Sequence, residues 1–153
     1  MQIYRSNETF RKPSENSIFL AGPSLRGDGI KTDWREEVIE ILDSYDYSGE
    51  VYVPEPFAEN YAYQYLWEEK ALMDVGCILF WIPRDLEKLP GFTTNCEFGE
   101  WMNSEKVVLG FPKGAPNMRY LELKALQRDI PITNTLEDTV CNAADMVETL
   151  KDS

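Results

Sequence analysis

Residues 77–101 read CILFWIPRDLEKLPGFTTNCEFGEW, and the way this stretch divides decides the fold. Its first six residues, 77–82, are apolar without a break. A run of that length and content suits a strand buried on both faces of a parallel sheet. Pro83 ends it, since proline offers no N–H to a ladder. A polar loop with Arg84, Asp85, Pro90 and Gly91 comes next, and a helix is expected from Thr94. Glu97 is thereby carried to the mouth of a buried sheet, beyond a strand's carboxyl end. Open α/β folds bind small molecules at that edge.

Outward from this strand, the chain alternates strand and helix patterns. Strands are expected at 17–22, 51–53, 106–110 and 130–132, the last at an edge. Trp34, Val38, Ile41, Leu42 and Tyr45 share one helical face, and Asp33 with Glu36 and Glu37 suits that helix's start. A second helix spans 61–73, with Tyr65, Leu66, Ala71 and Leu72 inward. Further helices fall at about 94–103, 116–127 and 135–150, and Thr135 with Asp138 opens the last. This order predicts an α/β protein with a doubly wound parallel sheet of about five strands and helices on both faces. Residues 1–16 read as a loose polar leader and 17–153 as a single domain.

Composition narrows the function. A chain of 153 residues can bury a real core. Its net charge of −12, with no cluster of Lys and Arg, excludes polymeric nucleic acid as a partner, because phosphate backbones need such clusters. A single nucleoside needs no basic groove and stays open. The chain holds no histidine, so acid–base work at neutral pH falls to Asp, Glu, Tyr, Cys or Lys. Histidine-based triads and histidine-ligated metals are ruled out with it. Cys77, Cys96 and Cys141 fit no zinc spacing. Cys77 and Cys141 read as core residues, while Cys96 stands beside Glu97. A reducing cytoplasm suits all three. No apolar run approaches the roughly 20 residues of a membrane helix, and no signal-peptide core precedes residue 17. A soluble, cytoplasmic protein needing no cofactor or metal is expected.

Two readings of Glu97 compete. Thr94-x-x-Glu97 fits a capping box, a purely structural device. Against that, Gly99 costs about 1 kcal/mol relative to Ala inside a helix, and Thr93, Thr94 and Asn95 gather hydrogen-bonding groups beside the acid. The turn 21–27 follows the first strand at the same edge. It offers Gly22 for close backbone approach, Ser24, and Arg26 as a holder of phosphate or carboxylate or as a partner of the acidic surface. Gln64, Trp67, Glu68 and Glu69 lie on the second helix. Glu68 and Glu69 ordinarily mark a solvated face, and Asp85 ordinarily a turn. Converging with Glu97, they would form a carboxylate cluster in which at least one pKa is raised. An acid and a nucleophile then come from the same residue type, as in glycosyl transfer.

Residues 18–23 (IFLAGP), Asp33-Trp34-Arg35, Gln64 with Trp67-Glu68, 78–83 (ILFWIP) and 92–99 (FTTNCEFG) together resemble the nucleoside 2-deoxyribosyltransferase-like family. The resemblance covers about residues 17–112, and the Thr-Thr-Asn-x-Glu-Phe-Gly element is its most specific part. It implies a flavodoxin-like fold, a homo-oligomer whose sites borrow residues across subunits, and nucleosides and nucleobases as small-molecule partners. It also implies base exchange through a covalent deoxyribosyl-enzyme intermediate. Glu97 matches the nucleophile, and Glu69 matches an acid placed before the third strand, with Glu68 as its rival. Phe19 stands where many relatives carry a tyrosine that orients the nucleophile. Gly91 occupies the place of a further acid, for which Asp85 is the substitute. Phe19, Gly22, Ser24, Arg26, Gln64, Trp67, Glu68, Thr94 and Asn95 are then the expected substrate contacts. Three functions follow: a deoxyribosyltransferase acting on nucleosides, an N-glycoside hydrolase on a nucleoside or nucleotide, and a non-catalytic nucleotide-binding module.

Overall fold

The computed structural model describes residues 1–6, 8–24, 33–54 and 60–152. Among these, six strands pair into one all-parallel sheet: β1 (Gln2–Arg5), β2 (Ser17–Ala21), β3 (Glu50–Val53), β4 (Cys77–Trp81), β5 (Val107–Gly110) and β6 (Ile132–Thr133). Their spatial order is β1-β3-β2-β4-β5-β6. Five helices alternate with them: α1 (Trp34–Ser44), α2 (Tyr61–Asp74), α3 (Phe92–Trp101), α4 (Arg119–Gln127) and α5 (Leu136–Asp152). This is a flavodoxin-like doubly wound arrangement.

The central strands β2, β4 and β5 are buried at every residue, which is why they read as unbroken apolar runs. Their side chains alternate between two cores. Phe19, Ala21, Ile78, Phe80 and Leu109 face α2, α3 and α4, where Trp67, Leu72, Phe98 and Leu121 cover them. Ile18, Leu20, Leu79, Trp81 and Val108 face α1 and α5, with Trp34, Val38, Leu42, Val140 and Val147. From β2 the chain goes to β3 on one side and then returns to β4 on the other. The sheet's switch point therefore lies between β2 and β4, and a crevice opens there at the carboxyl ends.

Three expectations need correction. The sheet has a sixth strand, and it lies within the supposed loose leader: β1 pairs in parallel with β3, Ile3 beside Val51 and Tyr4 beside Tyr52. Residues 8 and 10 of that segment are tied to α2. The Trp67 indole donates to the Glu8 carbonyl at 2.9 Å, and Phe10 packs edge-on against Tyr52 and Trp67. Its polar character is that of a short edge strand, only half covered. On α2, Trp67 turns inward with Ala71 and Leu72, while Tyr65 and Leu66 are exposed. Cys77 is buried as expected, Cys141 only partly so, and Cys96 is exposed on the outer side of α3.

Candidate active site

A crevice of about 390 Å³ sits at the switch point, between α2 and α3 and over the end of β2. Phe19 and Ala21 line it from the strand, followed by Gly22, Pro23 and Ser24 of the turn. Trp34 braces that turn by donating its indole N–H to the Pro23 carbonyl at 3.0 Å.

The wall that carries Glu97 begins at Gly91. Its φ of +71° lies in the left-handed region, which glycine enters without strain, and it serves as the N-cap of α3 with no side-chain cap bond. The helix thus starts two residues earlier than Thr94, which removes the capping-box reading of Thr94 and Glu97. Thr94 is instead buried one turn before Glu97 (2% exposed), and both line the crevice. Among the described residues, no hydrogen bond or ion pair holds the Glu97 carboxyl. Partial burial first, and the charge of Glu68 second, push its pKa up to about 8, with Arg35 opposing and Glu69 and Glu100 adding.

α2 supplies the second acid. Asn60 caps the helix by accepting from the Tyr63 N–H at 3.0 Å. Gln64 and Glu68 then stand one turn apart on the crevice face, and the Gln64 amide donates to Glu68 Oε1 at 3.1 Å. Burial raises the pKa of Glu68, against the pull of the Gln64 hydrogen bond and Arg35. Two carboxyls of one cavity therefore both resist ionisation, and each disfavours the charge of the other.

Arg35, which the sequence reading passed over as a site residue, lines the crevice from α1 and is 2% exposed. Its Nε donates to the Leu20 carbonyl (3.1 Å), Nη2 to the Gly22 carbonyl (2.7 Å) and Nη1 to Ser24 Oγ (3.1 Å). The signal was present: Arg35, Val38 and Leu42 share the buried stripe of α1, and a cation inside an apolar stripe requires polar partners.

The crevice thus gathers Phe19, Gly22, Ser24, Gln64, Glu68, Thr94 and Glu97 from the expected set. Others lie elsewhere. Asp85 is exposed, and its Oδ1 accepts the N–H groups of Glu87 and Lys88, both at 2.9 Å, closing its own turn. Those bonds hold its pKa down, the opposite of what a proton donor at neutral pH needs. Glu69 neighbours Glu68 in sequence but turns about 100° away around the helix, and it does not line the crevice. Trp67 belongs to the core. Asn95 accepts a hydrogen bond from the Arg84 guanidinium and does not line the crevice. Arg26 lies outside the described residues.

An open α/β sheet with two interacting carboxyls in its switch-point crevice is a small-molecule-binding architecture equipped for acid–base and nucleophilic chemistry. A family model for nucleoside 2-deoxyribosyltransferase-like proteins matches residues 15–115, from β2 through β5. The chain belongs to that family. No curated protein matches it as a relative. Among the described residues, no helix is long and apolar enough to cross a membrane.

Proposed function

We propose that this protein exchanges the base of a 2′-deoxyribonucleoside through a covalent deoxyribosyl intermediate on Glu97. One observation carries the reading: a partly buried carboxyl, without a hydrogen-bond partner among the described residues, faces the switch-point crevice beside a second acid. Glu97 attacks C1′ as the carboxylate. The C1′–N bond breaks, its electron pair leaves with the base, and the base takes a proton from the Glu68 carboxyl. An acceptor base then attacks C1′ through a ring nitrogen and returns its proton to Glu68 as the Glu97 carboxylate departs. Glu68 takes the role expected of Asp85, because it stands in the crevice and Asp85 does not. The substrate is a free nucleoside, a reading supported by Arg35 being the one cation among the described lining residues. The same reading includes a homo-oligomer, supported by exposed apolar side chains such as Leu66, Met73, Phe92 and Leu123 on the α2–α3–α4 layer. A cytoplasmic setting is supported by three unpaired cysteines.

The test is exchange. Purified protein is incubated with deoxyinosine or thymidine, with and without adenine, and the products are separated by chromatography. Product formed only with an acceptor supports transfer; free sugar without an acceptor makes the protein a hydrolase; no turnover across a broad panel makes it a binding module. A 2-fluoro-arabinosyl nucleoside should also trap the intermediate, since fluorine destabilises an oxocarbenium-like transition state. Intact-mass spectrometry should find the fluorinated sugar on a peptide containing Glu97. An active enzyme that never carries this adduct would point to direct attack by water.

The pH profile gives a further prediction. The competent pair holds one proton, so kcat/KM should be bell-shaped, falling on the alkaline side near pH 8 as the last proton leaves. In Glu68→Gln the alkaline limb should vanish for ordinary nucleosides, whose rates fall about a hundredfold or more. An N7-methylated deoxyguanosine carries its own positive charge and leaves without protonation, so it should lose far less. Equal loss on both substrates would remove Glu68 from the acid role.

A further inference from the structure

We propose that Arg35 is a positioning residue of this site, a fixed counter-charge that acts on the Glu97–Glu68 pair without touching either carboxylate. The inference rests on the reading of Glu97 as nucleophile. The guanidinium is spread across the Leu20 carbonyl, the Gly22 carbonyl and Ser24 Oγ, so each of its three nitrogens donates to an uncharged oxygen at the end of β2. Its carbon lies 4.5 Å from the centre of the Trp34 ring, and Asp33 Oδ1 approaches Nη1 only to 3.9 Å. Among the described residues, no ion pair joins it to Glu97 or Glu68.

That arrangement has a chemical use. A direct salt bridge would hold the Glu97 carboxylate in one geometry and occupy the lone pairs that must attack. A guanidinium held at all three nitrogens by the Leu20, Gly22 and Ser24 oxygens cannot swing across to form one. It still acts through the poorly solvated crevice, where charge interactions are strengthened. Arginine suits the task because its planar fork can bridge oxygens of one turn while staying charged over the whole pH range.

Among the described residues, the charges that bear on Glu97 are those of Glu68 across the crevice, Arg35 from α1, Glu69 on the turned-away side of α2 and Glu100 from its own helix. The β2 strand contributes only the apolar Phe19 and Ala21 at this point, and Tyr61 adds a phenol at the rim. Arg35 is the sole cation in that set and acts on both acids. Without it, the pair would keep two protons further up the pH scale, and the carboxylate needed for attack would be scarcer still at neutral pH. Ser24 is also drawn in. Its hydroxyl, expected as a substrate contact, is here a strut for the guanidinium.

The measurement is a ¹³C NMR titration of the glutamate side-chain carboxyls, with the Glu97 signal assigned by its loss in Glu97→Gln. In Arg35→Gln the Glu97 midpoint should rise by roughly one pH unit, and in Arg35→Lys it should return most of the way. Citrulline at position 35 keeps the planar shape and part of the donor set but carries no charge, so it should reproduce the rise even if Arg35→Gln fails to fold. A folded neutral variant in which Glu97 titrates within about 0.2 unit of wild type would make Arg35 a purely structural clamp and overturn the proposal. The titration needs no turnover, so its result stands apart from the trapping experiment. If Glu97 is also the nucleophile, both limbs of kcat/KM should move to higher pH in the neutral variants.

Discussion

Glu97→Gln should fold normally, melt at a higher temperature than wild type and turn over no substrate. The loss of rate should be on the order of a thousandfold or more, because an amide cannot serve as the attacking carboxylate. Retention of more than about a tenth of wild-type activity would remove Glu97 from the mechanism. The gain in stability follows from linkage. The carboxyl titrates near 8 when folded, against an ordinary value of 4.5. Its ionisation therefore favours the unfolded chain. Wild-type stability is unaffected by this group below about pH 4.5 and declines as pH rises through the folded value near 8. Glutamine is neutral throughout, so the variant's advantage should be absent at pH 4 and grow to about 3 kcal/mol at pH 7. Denaturant melts at pH 4 and pH 7 would check it. A carboxyl kept only for structure would give the opposite, a variant less stable than wild type at neutral pH.

This pairing of lost activity with gained stability also separates what sequence reading could reach from what it could not. The 77–82 run displayed its burial openly because both faces of β4 are covered, and the alternation of periods gave the winding. β1 was hidden because an edge strand of four residues needs no apolar run, and its partner β3 lies almost fifty residues away. Glu97 was legible from its place beyond a central strand. Its competing role as a capping residue was dismissed only by geometry, since Gly91, not Thr94, starts α3. The difference between Glu68 and Glu69 was out of reach for a physical reason. Adjacent residues on a helix point about 100° apart, and the weakly amphipathic α2 sequence does not say which direction faces the crevice. Asp85 misled because a carboxylate that closes its own turn looks, in sequence, like one available for chemistry.

Gly22→Ala should damage both the fold and the site. A Cβ at position 22 would lie 2.2 Å from the Trp81 carbonyl oxygen and 2.6 Å from Cζ2 of the Trp34 ring. The first contact is backbone of the adjacent central strand and cannot rotate away. The second belongs to an indole already held by its bond to the Pro23 carbonyl. Relief must come from moving the turn itself, and overpacking of that kind costs about 3 kcal/mol, or roughly 10 °C in melting temperature for a domain of this size. The same movement displaces the Gly22 carbonyl, which accepts the 2.7 Å hydrogen bond from Arg35, so whatever folds should also bind substrate poorly. Gly99→Ala is the matched control. A Cβ there meets nothing within 4 Å, and alanine is the better helix former by about 1 kcal/mol, so that variant should melt no lower than wild type. The glycine of the first turn is required by the space between two tryptophan-bearing segments, whereas the glycine of α3 faces open surroundings within this chain. Thermal melts of the two variants side by side would decide the point, and a Gly22→Ala protein melting within about 2 °C of wild type would show that the turn can yield where the geometry says it cannot.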